Sequence, residues 1–251
     1  MTTGPVPLKQ ALRRPGGLGV SWFALGSTGL LDVALGAGPE AIVLDLQHGL
    51  WDRLGMEAAF GLAANTPRLA RVADGSATAI GQALDAGADG VLVPLVETIE
   101  QAQAAVAAAH YPPRGHRSGG GVRPLARGFA TYVARAAETV VGVMIETAAG
   151  VANAESIAAT PGLDFVFIGT GDLALSLGCF PEIDDRREAA CSRVLAACRG
   201  AGVPCGVFTT SVAEAARRRR EGYAMVVVAN DIGIAAAGFA AAQASFDGDE
   251  A

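Results

Sequence analysis

The chain has 251 residues, of which 51% are hydrophobic and 18% charged, and its formal net charge at pH 7 is −6. This length suits a single domain over residues 1–251. The acidic balance disfavours a nucleic-acid partner, and no apolar run reaches the roughly 20 residues of a membrane span. The first residues lack a secretory-type apolar segment, so we expect a cytoplasmic protein that binds neither nucleic acid nor membrane.

Eight short runs of β-type residues predict eight strands. They are Leu18–Leu25, Ala41–Gln47, Arg68–Val72, Gly90–Val96, Val140–Glu146, Phe165–Gly169, Pro204–Thr209 and Met225–Asn230. Several are continuous apolar strings, which is typical of parallel strands buried on both faces. Alanine-rich stretches with helical periodicity separate them. Eight such alternations in about 250 residues predict an α/β protein, a (β/α)₈ TIM barrel, rather than an open doubly wound sheet, for which the sequence has no phosphate-binding fingerprint.

Local signals refine the helices between these strands. Asp185–Gly200 places its apolar residues on one face, and Gly200 is the expected terminator. Ser211 and Glu214 have the spacing of a capping box that opens the next helix, which Gly222 would close.

Three further features have both a structural and a functional interpretation. The cysteines lack a C-x-x-C spacing, so we expect buried free thiols rather than a zinc site or disulfides at Cys179, Cys191, Cys198 and Cys205. For the run Arg217–Arg220 we expect a solvated or subunit-contact face. The segment GHRSGGG, residues 115–121, could bind an anion through its backbone amides or form a flexible loop, with His116 exposed.

A TIM barrel carries its active site at the carboxyl ends of its strands, so polar residues there are candidates. They are Asp45, Gln47, His48, Arg71, Glu97, Glu146, Asp172, Thr209, Thr210, Asn230 and Asp231. Asp172 could instead cap a helix, and Glu146 could form a structural salt bridge. His48 could be a hydrogen-bonded rim residue, and Arg71 a structural partner of an acid. Their joint occurrence at one end of the barrel favours a catalytic site.

The types of charged residue favour metal chemistry. Glu146 and Asp172 come from adjacent strands, and two hard oxygen ligands suit Mg²⁺, Mn²⁺ or Co²⁺ better than Zn²⁺, which usually takes three or more protein ligands. The one lysine, Lys9, precedes the first strand. A Schiff-base aldolase needs a lysine inside the barrel, so a carbanion derived from a 2-oxo acid would need a metal as electron sink.

Six ordered segments resemble the metal-dependent pyruvate aldolases, the family typified by 4-hydroxy-2-oxoheptane-1,7-dioate aldolase and related to the citrate lyase β-subunit. They are VLDLQHG (43–49), LARV (69–72), GADGVLVPLVET (87–98), YPPRGHR (111–117), VMIET (143–147) and FIGTGDLALSLG (167–178). The resemblance spans residues 8–240. It implies a TIM barrel of the phosphoenolpyruvate/pyruvate-binding type and reversible cleavage of a 4-hydroxy-2-oxo acid to pyruvate and an aldehyde.

The resemblance also implies roles for individual residues. Glu146 and Asp172 match the metal ligands. His48 matches the catalytic base, and Arg71 matches the arginine that binds the pyruvyl oxygen. Asp45 matches an acid near the metal site. Further expected site residues are Asp85, as the acid that pairs with the histidine, and, in the substrate pocket, Trp22, Gln47, Gly169, Thr170 and Gly171.

Three positions depart from the commonest family pattern and leave the aldehyde and the preferred metal open. Gln47, Met144 and Thr170 stand where many members have glutamate, glutamine and proline. Family members form hexamers with the last helix exchanged between barrels. We therefore expect a homo-oligomer, a trimer or hexamer, in which the C-terminal helix at about residues 231–245 could be exchanged.

Other functions remain compatible with these residues. The same metal–enolate site could serve a citrate-lyase-like acyl-CoA lyase, which would need a basic groove for the nucleotide, or a 2-oxo acid decarboxylase. A barrel kept only for binding or assembly would be expected to lack one of Glu146, Asp172 and Arg71, and all three are present.

Overall fold

Eight parallel strands close into a barrel in chain order, and β1 pairs with β8, in a computed structural model that describes residues 6–126 and 128–248. The strands are β1 (Leu18–Phe23), β2 (Ala41–Asp45), β3 (Arg68–Arg71), β4 (Gly90–Val93), β5 (Val140–Ile145), β6 (Phe165–Ile168), β7 (Cys205–Val207) and β8 (Met225–Asn230). Each lies within its predicted run, and the predicted TIM barrel is confirmed.

Helices surround the barrel and connect its strands. They are α1 (Leu8–Ala11), α2 (Thr28–Leu35), α3 (Arg53–Leu62), α4 (Ala77–Ala86), α5 (Ile99–Ala109), α6 (Val122–Ala126), α7 (Phe129–Arg135), α8 (Ala148–Ala152), α9 (Ala154–Ala158), α10 (Thr170–Ser176), α11 (Asp185–Ala201), α12 (Val212–Arg220) and α13 (Asp231–Gly248), with a 3₁₀ helix at Ala136–Glu138. Within the described ranges, no helix is long and apolar enough to cross a membrane.

Side chains along each strand alternate between the barrel interior and the helices, because successive residues of a strand point to opposite faces. In β5, Val143 and Ile145 pack under the helices, whereas Met144 packs inside the barrel. Glu146 is the next residue in the inward register. The same alternation directs into the mouth, the barrel end at the carboxyl ends of the strands, the residues Trp22, Asp45, Arg71, Gly169 and Phe208.

The barrel interior below the mouth is filled by side chains. The ring of Phe165 is fully buried there. A Cβ atom at Gly142 on the neighbouring strand would lie 2.2 Å from that ring, so the glycine makes room for it. Because the interior is closed, ligands can reach the inward-facing polar residues only through the mouth.

One local prediction was wrong, and a second, the solvated face of Arg217–Arg220, was wrong at Arg218 only, since Arg219 and Arg220 are exposed. The helix α11 continues through Gly200 to Ala201, and Gly202 caps it in the left-handed conformation. Arg218 does not lie on a solvated face: it is 1% exposed and forms an ion pair with Glu188 of α11. Here the packing of α12 against α11 decides the environment, which the run of arginines alone did not reveal.

Other local predictions are confirmed. Ser211 caps α12 by accepting a hydrogen bond from the backbone of Glu214, so the predicted cap is confirmed. The capping box is not, because the Glu214 carboxylate accepts from the backbone of Thr210 rather than that of Ser211. Gly222 follows the end of α12 with φ of +93°. The four cysteines are free and buried.

Candidate active site

A buried acid–arginine pair occupies one side of the mouth. Asp45 ends β2 and Arg71 ends β3, and the two residues are register partners in the sheet. The Arg71 Nε donates to Asp45 Oδ1 at 2.9 Å, and an Nη atom donates to Oδ2. Two parallel hydrogen bonds of this kind fix the guanidinium plane. The alternative that Arg71 is a structural partner of an acid therefore holds in part, because that acid, Asp45, lies at the same mouth.

Asp45 also organises the loop that follows β2. Its Oδ1 accepts backbone hydrogen bonds from Gln47 and His48, both at 3.1 Å, and its Oδ2 accepts from Trp22 Nε1 at 3.3 Å. Burial alone would raise the pKa of Asp45, but the hydrogen bonds and charge of Arg71 outweigh it and lower the pKa below the ordinary value. Asp45 is thus an ionised anchor for the loop that carries His48.

Aromatic rings form the floor of this side of the mouth. The Arg71 guanidinium lies 5.1 Å from the centre of the Trp22 ring, within the range of a cation–π contact. Phe208 at the end of β7 meets the same ring edge-on at 5.4 Å, and Phe167 lies 5.8 Å below. Trp22 thus contacts both Asp45 and Arg71 and limits the movement of their side chains. Its predicted place in the substrate pocket is a separate role.

A buried carboxylate lies on the other side of the mouth. Glu146 is 1% exposed, and its Oε1 accepts a hydrogen bond from the Leu95 backbone at 2.7 Å. Its Oε2 is buried and has no hydrogen-bond partner among the described residues. Burial raises the pKa of Glu146, the charge of Asp172 raises it further, and the Leu95 hydrogen bond and the more distant charge of Arg71 oppose this. The predicted alternative of a structural salt bridge does not apply to Glu146 in the described structure.

The turn after β6 brings the second carboxylate to Glu146. Gly169 precedes α10, and a Cβ atom there would lie 2.2 Å from Glu146 Oε2, so glycine allows the carboxylate to lie against the turn. Asp172 lies in the first turn of α10, and Gly169 rather than Asp172 is its N-cap, so the capping alternative is wrong. Thr170 is buried and donates to the carbonyl of Phe208 at 3.1 Å, which fixes the turn to β7.

The predicted metal ligands suit a cation. A buried carboxylate oxygen without a hydrogen bond is costly, and a second carboxylate nearby increases the cost unless a positive charge lies between them. Within the described ranges, no group of three or more His, Cys, Asp and Glu side chains could hold a metal ion. Glu146 and Asp172 together make a two-carboxylate site of hard oxygen donors at the mouth.

Three other predicted residues lie at the rim of the mouth. His48 follows β2 and is exposed, with its backbone held by Asp45. Gln47 is half-buried, and its Oε1 has no hydrogen-bond partner among the described residues. Gly171 is exposed in the first turn of α10. All three are accessible to a molecule in the mouth.

Asp85 is the one predicted site residue that the fold does not bring to the mouth. It is the penultimate residue of α4, which leads from the mouth to the start of β4 at the opposite end of the barrel. Its carboxylate accepts from Arg117 at 2.6 Å. A pairing of Asp85 with His48 stays a prediction that only a second copy of the chain could fulfil.

The segment 115–121 also lies at the end of the barrel away from the mouth. It follows α5 and precedes β5, and His116 is exposed, as predicted. Arg117 is buried between Asp85 and the Tyr132 hydroxyl, and its guanidinium also lies over the rings of Tyr132 and Tyr111. The segment therefore does not contribute an anion cradle to the mouth of its own barrel. Its buried arginine carried no sequence signal.

Several polar residues at the strand ends have structural partners instead. Glu97 accepts from the Thr147 hydroxyl at 2.7 Å, and Asp231 accepts from the backbone of Ala24 and Leu25. Thr209 donates to the carbonyl of Val227. These contacts tie the loops of the mouth together.

Leu95 is a residue of the mouth that the sequence did not reveal. Its φ is +56°, and nothing in the apolar, strand-like run around it indicates a positive φ.

The barrel and its mouth define a class of protein: a TIM-barrel enzyme with an acid–arginine pair facing a two-carboxylate site. The model of the HpcH/HpaI aldolase/citrate lyase family matches residues 19–237. A hydroxypyruvate/pyruvate aldolase of Rhizorhabdus wittichii is 38% identical over 205 residues, which cover 79% of this chain and 81% of that protein. A 4-hydroxy-2-oxovalerate aldolase of Rhodococcus jostii is 40% identical over 192 residues, 72% of this chain and 74% of that protein.

A solved structure agrees with these relatives. A HpcH/HpaI aldolase/citrate lyase family protein from Burkholderia cenocepacia superposes with a TM-score of 0.90 at 32% identity, covering 96% of this chain and 98% of that one. The chain belongs to the HpcH/HpaI aldolase/citrate lyase family. It is a pyruvate-type aldolase, a carbon–carbon lyase, as predicted, and the alternative of a non-catalytic barrel is wrong.

Proposed function

We propose that this aldolase is of the metal-dependent, class II type and cleaves a 4-hydroxy-2-oxo acid reversibly to pyruvate and an aldehyde. The observation that carries this proposal is the unpaired Oε2 of Glu146, buried beside a second acid, Asp172. The names of two relatives, a hydroxypyruvate/pyruvate aldolase and a 4-hydroxy-2-oxovalerate aldolase, support a 2-oxo acid as the common part of the substrate.

Glu146 and Asp172 would hold the ion, and Mg²⁺, Mn²⁺ and Co²⁺ suit their oxygen donors. When bound, such an ion acts as a Lewis acid toward the keto oxygen of the substrate. Gly169, Thr170 and Gly171 would line the space for the substrate carboxylate, because they form the turn between the two acids. This leaves the polar half of the substrate on the side of β5 and β6.

Arg71 would stabilise the negative charge that develops on the keto oxygen. Asp45 engages its Nε and one Nη atom, which leaves N–H groups of the guanidinium available for a substrate. Because the two hydrogen bonds to Asp45 and the ring of Trp22 hold the guanidinium in place, little reorganisation is needed when the charge develops. Asp45 and Trp22 are positioning residues in this scheme.

His48 would act as the base. In the cleavage direction it accepts the proton of the C4 hydroxyl, the C4–O bond becomes the aldehyde carbonyl, and the electrons of the C3–C4 bond move toward C2 and its oxygen. Return of a proton to C3 completes pyruvate. The backbone of His48 is held by Asp45, so the same acid places both the base and the arginine.

Deuterium exchange tests the proposal without knowledge of the aldehyde. Chelator-treated protein is mixed with pyruvate in D₂O, Mg²⁺, Mn²⁺ or Co²⁺ is added, and loss of the methyl proton signal is followed by NMR. We expect metal-dependent exchange that falls at least about 100-fold in Glu146→Gln and Asp172→Asn, because each removes a charged ligand.

The matched control is Glu138→Gln, which changes an exposed carboxylate at the opposite end of the barrel and should exchange at the wild-type rate. Folded wild-type protein that exchanges no methyl protons with any of the three ions would contradict the proposal. Exchange that is equally fast without metal would contradict the roles of the two acids.

We further propose that α13 packs against a neighbouring copy in a homo-oligomer. Its first residue, Asp231, is buried and accepts backbone hydrogen bonds from Ala24 and Leu25, but the helix beyond it is almost wholly exposed. It carries exposed apolar side chains, among them Phe239 at 80% and Phe246 at 64%. An apolar helix of 18 residues is unfavourable in water unless another surface covers it.

Light scattering coupled to size exclusion tests this assembly. We expect wild-type protein to form a trimer or hexamer and Phe239→Glu to shift it to smaller species, because a charge would be buried in the contact. Phe180→Glu, which changes an exposed phenylalanine outside the helix, should retain the wild-type mass. A monomeric wild type would contradict the proposal.

A further inference from the structure

Leu95 combines an unusual backbone with an exposed apolar side chain. It follows β4 and Pro94 at the mouth, and its φ of 56° makes it the one non-glycine residue with positive φ in the described ranges. Such a conformation is disfavoured for leucine and common for glycine or asparagine. Its side chain is nevertheless 49% exposed, so burial in the core does not explain the leucine.

The backbone of Leu95 is held at the two-carboxylate site. Its N–H donates to Glu146 Oε1 at 2.7 Å. Given standard covalent geometry, the Leu95 Cβ then lies within about 5 Å of that oxygen. An apolar side chain thus begins next to the carboxylate proposed to bind the ion, and it is open to solvent rather than covered by protein.

Charged residues end or follow the strands on both sides of β4. Arg71 ends β3, Glu146 follows β5, and Asp172 comes after β6. These groups match the carboxylate and keto oxygens of a 2-oxo acid, which are polar. Charged groups do not make favourable contacts with a carbon chain, whereas an exposed leucine side chain does. In a 4-hydroxy-2-oxo acid, the part that can carry a longer carbon chain is the part released as the aldehyde.

We infer that Leu95 forms an apolar wall for the aldehyde substituent and that the aldehyde partner of this enzyme carries an uncharged aliphatic group. The inference rests on the proposed function and adds its substrate class. The left-handed backbone of Leu95 allows its N–H to donate to Glu146, and the leucine side chain contacts the aldehyde substituent. This division explains why glycine does not occupy the position.

Aldehyde selectivity tests the inference. Condensation with pyruvate is measured for acetaldehyde and hexanal, and the ratio of kcat/KM for hexanal to that for acetaldehyde is compared between variants. Leu95→Asn keeps a similar size and tolerates positive φ but is polar, and Leu95→Gly fits the backbone without a side chain. We expect each to lower the ratio about 10-fold, because contact with the alkyl chain is lost.

A ratio within one enzyme cancels any loss that affects both aldehydes equally. The matched control is Leu62→Asn, at an equally exposed leucine (48%) that ends α3 at the opposite end of the barrel, and its ratio should equal that of wild type. A ratio within 2-fold of wild type in both Leu95 variants would overturn the inference while the proposed function stands. Wild type without metal-dependent exchange of pyruvate protons would overturn both.

Discussion

Two clusters of buried charge, one between the outer helices and one at the mouth, differ in how completely their charges are paired. In the outer cluster, Arg218 donates to Glu188 at 2.7 Å and to Glu221 at 3.3 Å, and its guanidinium lies over the ring of Tyr223. Burial alone would lower the pKa of Arg218, but the hydrogen bond and charge of Glu188 raise it above the ordinary value.

The mouth is paired on one side only. Asp45 and Arg71 satisfy each other, but Glu146 across the mouth accepts one backbone hydrogen bond and keeps a buried oxygen without a partner in the described structure. Its pKa is raised by burial, whereas burial of Glu188 in the outer cluster is outweighed by Arg218 and the pKa of Glu188 is lowered. Removing one partner of a buried ion pair is strongly destabilising, whereas a buried charge without a pair in a cleft is a candidate for ligand binding.

The largest effect on stability is expected at the paired outer cluster. Arg218→Met would remove the charge that three glutamates face and lower the free energy of unfolding by about 3 kcal/mol. Urea unfolding followed by circular dichroism measures this change. The metal-dependent proton exchange of the folded variant should remain, because the outer cluster lies outside the mouth.

Arg217→Met provides the matched control in the same helix. Arg217 contacts the same glutamates but is far more exposed, so its loss should cost less than about 1 kcal/mol. Equal destabilisation by the two variants would show that net charge in the helix, and not the buried pair, is what matters. Burial of the Arg218 ion pair would then not be the cause of its contribution to stability.

A smaller, pH-dependent effect is expected on the paired side of the mouth. Because the pKa of Asp45 is lower in the folded protein than in the unfolded chain, its ionised form stabilises the fold above the unfolded pKa. That contribution is lost as pH falls through the folded pKa. Asp45→Asn should therefore lower the free energy of unfolding at pH 7 by about 2 kcal/mol, with a difference from wild type that shrinks on acidification.

Thermal or urea unfolding of both proteins between pH 7 and pH 3 measures this convergence. Asp52→Asn, at an exposed N-cap acid of α3 with a hydrogen bond to the backbone of Gly55, separates the effect of the buried pair from that of a cap. A difference between wild type and Asp45→Asn that is constant over this range would show that shape, and not charge, makes Asp45 stabilising.

Much of the site could be predicted because a barrel converts strand order into position. Polar residues end or follow successive strands, and parallel strands carry such residues to one mouth. They are Asp45, Arg71, Glu146 and, after the turn that follows β6, Asp172. The position of Asp85 could not be predicted in this way, because Asp85 lies on the helix α4. A sequence motif alone does not show at which end of the barrel a helix residue lies.

Other features depended on contacts between distant segments. The run Arg217–Arg220 looks uniform in sequence, yet Arg218 is buried because α11 brings Glu188 to that side of α12. The cost of leaving Glu146 Oε2 unpaired likewise exists only once Gly169 and Leu95 have closed around the carboxylate. Neither environment could be inferred from the residues that experience it.

By itself the sequence determined the eight strands, their parallel closure and the polar residues that follow them, because alternation and apolar runs are local properties that the barrel geometry orders. The tertiary structure alone decided which charges are paired and which are left open. Pairing depends on distances of a few ångströms between residues far apart in the chain. At the mouth those distances give Arg71 a partner and leave the Oε2 atom of Glu146 without one in the described structure.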